Sequence, residues 1–313
     1  MYATQESTLI QKADFRLSQI LSPNGELEPA QSRKFIQIMT RQSSFLNLVN
    51  VQTMKARKQQ VNKIKFGAPI LRAGTEGQAL SLADRSTPDT TATEFDAKLF
   101  KCEVNITQES LEDNIEDGDF LNTLLMMIST EMVANMENLV INSDTASVDP
   151  NLAKFDGMLK SATSNVIDAL GATFDQNVAD AMIKTMPVEF RKRVSEQRFF
   201  LDHNSEQNAR NSNATRATNA GDSNLENNDS VKWFGRALLP ADYWPSNLGG
   251  GFDDTAVILA HLSNVGVGIW RGITIKRDTD NRSDTVSWIG SCRIDFKYLE
   301  ETAVVKAINV QSL

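Results

Sequence analysis

A chain of 313 residues with 41% hydrophobic and 23% charged side chains is long and apolar enough to bury a sizeable core, which excludes wholesale disorder. Its formal net charge of −8 excludes a protein whose main work is to grip DNA phosphates over a broad basic face. No window of about 18 apolar residues occurs, which excludes a helical membrane span, and MYATQESTLIQKADF lacks the basic start and apolar run of a secretory leader, so a cytosolic origin is expected.

Residues 4 to 21 place Leu9, Ala13, Leu17, Ile20 and Leu21 near helical spacing and stop at the turn signal SPNG. A second helix is expected from about Glu28, with Pro29 in its first turn, to about Gln42. From FLNLVNVQTM through VNKIKF the pattern turns strand-like, and it does so again at residues 99 to 107, where Phe100, Cys102, Val104 and Ile106 share a face. Between them lies FGAPILRAGTEGQALSLADRSTPDTTATEFD, residues 66 to 96, which reads as a solvated excursion with almost nothing to bury. The flanks predict a long hairpin whose arms, at about 18 residues and roughly 3.3 Å each, reach on the order of 60 Å. A two-stranded ribbon of that kind is marginal alone in water, so something outside its own fold should hold it.

Residues 119 to 142 carry Leu121, Leu124, Leu125, Ile128, Met132, Met136, Leu139 and Val140 on one helical stripe, with Asp119 as the expected N-cap. The preceding ESLEDNIEDGD holds Glu109, Glu112, Asp113 and Glu116 at a spacing that is not that of a calcium loop. Two readings remain open for it: anions favoured by the positive end of the helix, or a docking face for basic arms such as Lys55, Arg57, Lys58, Lys63, Lys65 and Arg72. After a linker at 143 to 157 come a helix near 175 to 186, a strand at 198 to 203, a helix near 205 to 218, a soft loop at 219 to 230 and a strand at 255 to 262. The last fifty residues revert to strands: GITIKR, the turn DTDNRSD, TVSWIGSCRIDF and ETAVVKAINV. Val286, Trp288, Gly290, Cys292, Ile294 and Phe296 alternate onto one face, so Cys102 and Cys292 read as buried small hydrophobes.

Acid–base chemistry has little to work with. Asp202 and His203 are adjacent, but no GxSxG elbow accompanies them, and His261 closes an apolar strand. GGGF at 249 to 252 precedes a strand and lacks the P-loop lysine, so it reads as a loop. No catalytic residue, cofactor or metal site is assigned, although carboxylates are plentiful.

The order of elements is an arm, a hairpin, a long helix, an inserted mixed segment and a return to strands. With KIKFGAPILRAGTEG, ITQESLEDNIEDGDF, LVINSDT, FDGMLK and GVGIWRGITIKRDTD…CRIDFKYLEETAVVKAINV in that order, the chain resembles the major capsid proteins of tailed bacteriophages with the HK97-type fold over nearly its whole length. The resemblance implies an α+β fold: an N-arm at 1–44, an extended loop (E-loop) at 45–105, a discontinuous P domain at 106–158 and 263–313 with the spine helix at about 119–142, and an inserted A domain at 159–262. It implies a structural protein, not an enzyme. Copies would assemble into hexamers and pentamers of an icosahedral head that encloses double-stranded DNA without sequence-specific binding, each hairpin lying across an adjacent subunit.

Lys63 and Lys65 at the hairpin base, with Arg72 and Arg85 further out, would then meet Glu109, Glu112, Asp113 and Glu116 of a neighbour. Some relatives cross-link a lysine near the loop tip, but no lysine stands between Phe66 and Ala97, so a non-covalent shell is expected. The few residues before Leu9 leave no room for a fused scaffolding segment, which implies an untrimmed arm and a separate scaffold protein, with a portal and an optional decoration protein as further partners. Assembly in the host cytoplasm and residence in the virion follow, with no membrane involved. An encapsulin-like compartment shell and, more distantly, a cytosolic α+β hydrolase are the alternatives.

Overall fold

The computed structural model describes residues 45–66, 70–74, 76–108, 117–214, 231–248, 254–280 and 282–312. The two helices expected before residue 44, the acidic stretch 109–116, the soft loop 219–230 and the glycine run 249–252 lie outside those residues.

The strands β1 (Asn50–Thr53), β2 (Lys58–Lys65), β3 (Asp89–Asp96) and β4 (Lys98–Thr107) precede a long helix, α1 (Asp117–Asn142). The middle of the chain gives α2 (Met158–Ser161), β5 (Val166–Asp168), α3 (Gln176–Thr185), β6 (Gln197–Leu201) and α4 (His203–Ala214). It continues with β7 (Lys232–Trp233), β8 (Arg236–Pro240) and β9 (Asp254–His261). Three long strands close it: β10 (Val265–Asp280), β11 (Thr285–Tyr298) and β12 (Val305–Gln311). Among the described residues these strands form a four-stranded sheet, β1-β10-β11-β4, a six-stranded sheet, β5-β12-β9-β6-β8-β7, and the separate pair β2-β3.

Alternation builds the first core. Along β11, Val286, Trp288, Gly290, Cys292 and Ile294 are buried, and their neighbours are only partly so. On β4, Phe100, Cys102, Val104 and Ile106 turn the same way, and both rows share a core with Leu125, Ile128, Met132, Val133, Met136 and Val140 of α1. The strand and helix periods therefore meet on one surface. Gly290 is required there, because a Cβ would lie 2.5 Å from Cys102 Sγ and 2.9 Å from Met132 Sδ. Both cysteines are free, and burial pushes the Cys292 thiol up to about 12.

The second core lies on the far face of the six-stranded sheet. Val257 and Leu259 of β9 and Phe199 and Leu201 of β6 pack there against Val178, Ala179 and Met182 of α3. Asp175 caps α3, accepting from the amides of Asn177 at 2.9 Å and Val178 at 3.0 Å. Strand β9 is buried on both faces, which is why its sequence is a continuous apolar run. Its other face, with Phe200 of β6, belongs to the core of α1.

Several expectations need correction. The paired hairpin arms are eight residues each, about 26 Å at 3.3 Å per residue, not 18 residues. The flanking strands do not extend the ribbon: β1 pairs in parallel with β10 and β4 pairs antiparallel with β11, where they gain a helix to pack on. The longest hairpin is instead β10–β11. Strand β12, read from sequence with the closing strands, pairs with β9 and β5 of the six-stranded sheet. The described part of α1 already includes Asp117 and Gly118, so Asp119 lies within the helix and is not the N-cap. Helix α4 begins at His203, ahead of the expected 205, because buried Asp202 accepts from the Ser205 amide at 3.3 Å.

At the exit of α1, Gly157 sits against the last turn. A Cβ there would come within 2.7 Å of the Val140 carbonyl oxygen and 2.9 Å of that of Ile141. Its own amide donates to the Ser143 carbonyl at 2.7 Å. These contacts are backbone and have no rotamer to yield, so Gly157→Ala is expected to destabilise the protomer by about 1–3 kcal/mol, read as a lower urea midpoint at unchanged slope.

Candidate inter-subunit surface

The β2–β3 hairpin is paired along its full length, from Lys58 opposite Asp96 to Lys65 opposite Asp89. Its root is fixed to the body. Phe95 is buried with Met54 and Ala97, and its ring covers Gly266 and Gly268 of β10, where a Cβ would come within 3.1 and 2.8 Å of it. Beside the ring, Asp295 of β11 is 2% exposed and accepts from the Asp96 amide at 2.7 Å and the Phe296 amide at 2.9 Å. Burial pushes this carboxyl above the usual carboxylate range, against the opposing pull of the Asp96 amide, Lys297, the Phe296 amide and Lys98.

Charge adds a clasp. Lys98 Nζ and Arg57 Nε reach Asp96 at 2.6 and 3.2 Å, and the hydrogen bond from Lys98 is the main cause holding Asp96 below its usual range. Lys63 Nζ lies 3.6 Å from Glu300 Oε2. Burial pushes Glu300 up, but the Thr302 hydroxyl, Lys63 and Lys65 outweigh it and leave the carboxyl below its usual range.

Beyond the root the ribbon is bare. Ile64, Phe66, Ile70, Leu71 and Leu80 are exposed, Leu71 to 91% of its surface. This corrects the expectation of a tip with almost nothing to bury: the apolar side chains are present, spaced among glycine, threonine and charge, and the protomer does not cover them. Elsewhere on the described surface, Met126 and Met127 of α1 are exposed to 43% and 65%.

The charged residues singled out from sequence are not brought together within the protomer. Lys63 is engaged by Glu300 of its own chain, and Lys65 helps hold the same carboxyl down. Arg72 and Arg85 stand exposed, with no ion-pair partner among the described residues. Glu109, Glu112, Asp113 and Glu116 lie outside the described residues. Sequence reasoning missed the root: Phe95, Asp295 and Glu300. The available signal was the run Ile294-Asp295-Phe296, where alternation breaks and an acid is buried between apolar neighbours.

The histidines are engaged structurally. His203 Nε2 lies 2.9 Å from Asp242, at the surface. His261 Nε2 lies 2.8 Å from the Phe190 carbonyl oxygen. Asp202 binds the Ser312 hydroxyl at 2.5 Å instead of its neighbouring histidine. Among the described residues no group of three or more His, Cys, Asp or Glu side chains is placed to hold a metal ion.

Comparison with known proteins sets this geometry in context. Residues 27–308 match the phage capsid family. YqbE of Bacillus subtilis strain 168, which carries the name of a prophage capsid protein, is 33% identical over 308 residues, covering 97% of this chain and 98% of its own. Among solved structures, a chain of the satellite phage P4 procapsid superposes with a TM-score of 0.67 at 12% identity, covering 91% of this chain and 93% of its own. A chain of the SrpI encapsulin complex from Synechococcus elongatus PCC 7942 gives 0.61 at 15%, covering 92% and 97%.

The root makes a testable demand. Asp295→Ala strands the Asp96 amide, and a loss of about 1–3 kcal/mol with faster hydrogen exchange at Asp96 is expected; Asp295→Asn, which keeps an acceptor, restores most of it. The wild type and Asp295→Asn also differ with pH. Because the folded pKa is raised above the unfolded value, the native wild type binds the proton more tightly. Its stability relative to the Asn variant therefore falls as pH rises from about 4 through the raised pKa, then levels. A difference that is flat with pH contradicts this account.

Proposed function

The chain belongs to the phage capsid family, and we propose that its copies close as hexamers and pentamers into an icosahedral head around double-stranded DNA. It is a major capsid protein of phage type, a structural component of the virion shell. In the proposed assembly residues 1–44 serve as an arm, 45–105 as the E-loop, 106–158 with 263–313 as the peripheral domain and 159–262 as the axial domain. Sheet membership supports one refinement: β4 works with the peripheral sheet and β12 with the axial one.

One observation carries the mechanism. The hairpin is rooted in its own body yet leaves Ile64, Phe66, Ile70, Leu71 and Leu80 uncovered. Burying such a side chain fully stabilises by about 1.5–3 kcal/mol, so the ribbon gains on an adjacent copy what it lacks in the protomer. Met126 and Met127 of a neighbour's α1 are apolar surface on which it can settle. Arg72 and Arg85, without an ion-pair partner among the described residues, would pair with a neighbour's Glu109, Glu112, Asp113 or Glu116 as bidentate contacts. Lys63 and Lys65 would act mainly at home, through Glu300. A closed ring multiplies each modest contact by its symmetry, and no catalytic step is needed. A separate scaffold, a portal, an optional decoration protein and assembly in the host cytoplasm complete the proposal.

The encapsulin-like alternative shares the fold. The 33% identical relative, named for a prophage capsid, weighs towards the phage head. Nucleic acid inside purified particles, and not enzyme cargo, is the expected result.

Ile70→Asp with Leu71→Asp is expected to abolish shells in electron micrographs while shifting protomer stability by no more than about 0.5 kcal/mol, since both side chains are exposed. Shells formed at wild-type yield would refute the role of the tip. Arg72→Ala with Arg85→Ala should lower assembly yield and heat tolerance. Mature particles boiled in detergent should run as monomer, without a ladder of covalent multimers.

A further inference from the structure

Strand β10 breaks its register with β11 twice in succession, and an arginine stands between the breaks. The pairing slips between Ile269 and Arg271 and again between Arg271 and Thr274, which leaves Arg271 directly opposite Arg293. Bulges of this kind re-aim side chains. Trp270, the extra residue of the first slip, packs with Met54, Phe95 and Ala97 at the hairpin root, on the face of the sheet away from α1. The Arg293 guanidinium lies over its ring, 4.5 Å from the centroid. Leu99, the register partner of Arg293 on β4, is 39% exposed on that face. In the next row Ser291 stands between Thr274, whose hydroxyl it meets at 2.8 Å, and Lys101. The register therefore puts Arg271, Arg293, Lys101 and Leu99 together on one face.

These cations lack an anion. Like charges directly opposite each other across a ladder repel, and Arg271, Arg293 and Lys101 have no ion-pair partner among the described residues. Arg293 Nε is buried without an acceptor, a lack that calls for a partner the protomer does not supply. The carboxylates of the same chain beside the hairpin root are already engaged: Asp295 accepts from the Asp96 and Phe296 amides, and Asp96 is paired with Lys98 and Arg57. Stacking on Trp270 holds one guanidinium in place, so little side-chain freedom is lost when a carboxylate arrives.

We propose that the Arg271–Arg293 pair, with Lys101 beside it, receives a carboxylate from residues 109–116 of a second copy, while Leu99 packs on an apolar side chain of the same segment. ESLEDNIE holds four carboxylates and no cation, with Leu111 and Ile115 spaced among the acids, so one short stretch offers both kinds of contact. The protomer's own run is badly placed for this. It leaves β4 after Thr107, eight residues and about 26 Å from Leu99, and leads to α1, which packs on the opposite face of the sheet. Two bidentate contacts with Arg72 and Arg85 would leave two of the four carboxylates for this site. Beyond Lys101 the face turns mixed, with Lys276 and Glu103 on either side of Ile289 and Asp278 beside Ser287. The positive field is thus confined to the width of a carboxylate and does not extend as a nucleic-acid backbone requires. The inference rests on the many-copy shell proposed above.

The test mixes unlabelled and nitrogen-15-labelled full-length copies before assembly and treats the product with a water-soluble carbodiimide, which joins a lysine amine to a carboxylate in contact with it. Lys101 supplies the amine in the wild type, and Arg271→Lys adds one at the pair itself. Mass spectrometry is expected to find residues 109–116 linked to position 101 or 271 in peptides that combine the two labels. Links within one label only, or none, overturn the proposal. Arg271→Glu gives a second readout that a merely structural role would not move: it relieves the like-charged pair, so the protomer's urea midpoint should hold or rise, while the concentration needed for assembly rises about tenfold. An unchanged assembly concentration overturns the proposal, as does a fluorescein-labelled DNA duplex that binds the wild type and not Arg271→Glu in the absence of mixed-label links. Shells without mixed-label links sink the site alone, mixed-label links in oligomers that never close sink the shell reading alone, and the absence of both sinks both.

Discussion

The structure depends on how one aromatic ring is seated. A two-stranded ribbon has no second layer of its own, so the direction in which it leaves the body must be set at its root. Phe95 sets it by lying over Gly266 and Gly268, and those positions admit the ring only because neither has a Cβ. The buried Asp295 carboxylate then takes the Asp96 amide where the chain turns from β3 into β4. Burying a phenylalanine gives about 1.5–3 kcal/mol, enough to fix a hinge, while the charged clasp around Asp96 and Glu300 adds direction more than strength.

The body to which this root is attached does not divide at its sheets. Phe200 and Ile258 of the six-stranded sheet share a core with α1 and with the alternating rows of β4 and β11. Phe45 packs edge-on to Phe200 at 5.7 Å, and Asn142 at the end of α1 donates to the Tyr243 carbonyl at 2.7 Å. A close-packed interior of this kind resists continuous deformation. In the proposed shell, differences between five-fold and six-fold surroundings would therefore be taken up outside it, and the hairpin, exposed beyond its root, is suited to that.

Period was the legible part of the sequence. The apolar stripe of α1 and the alternation of β4 and β11 could be placed within two or three residues, because each of these elements has one buried face and the pattern records it. Partnership was not legible. Residues 50–53 and 98–107 alternate as well as the ribbon strands do, and nothing local says that they pair with β10 and β11 instead of with each other. The site was read less well than the fold. Lys63 and Lys65 stand out in the sequence for their charge at the hairpin base, yet the carboxylate that engages them, Glu300, lies more than two hundred positions along the chain. Phe95 reads as the end of a polar run because the glycines that receive it, Gly266 and Gly268, lie more than 170 positions further along the chain.

The placement of apolar side chains along the ribbon carries the last step. Among the described residues both of its strands have an unpaired edge, and such an edge invites indiscriminate pairing with any other strand. Here β2 reads KQQVNKIK and β3 reads DTTATEFD, so lysine, glutamine, asparagine and threonine line the edges and keep them hydrated. The large exposed apolar groups begin at Ile64 and continue into the loop, where no ladder exists to be extended. In the proposed assembly, association is thereby directed to the tip, through side chains that need a shaped receiving surface, and away from the backbone, which would accept any partner. Contacts of that kind are individually weak enough to come apart when misplaced and become permanent only when a closed ring makes many of them at once.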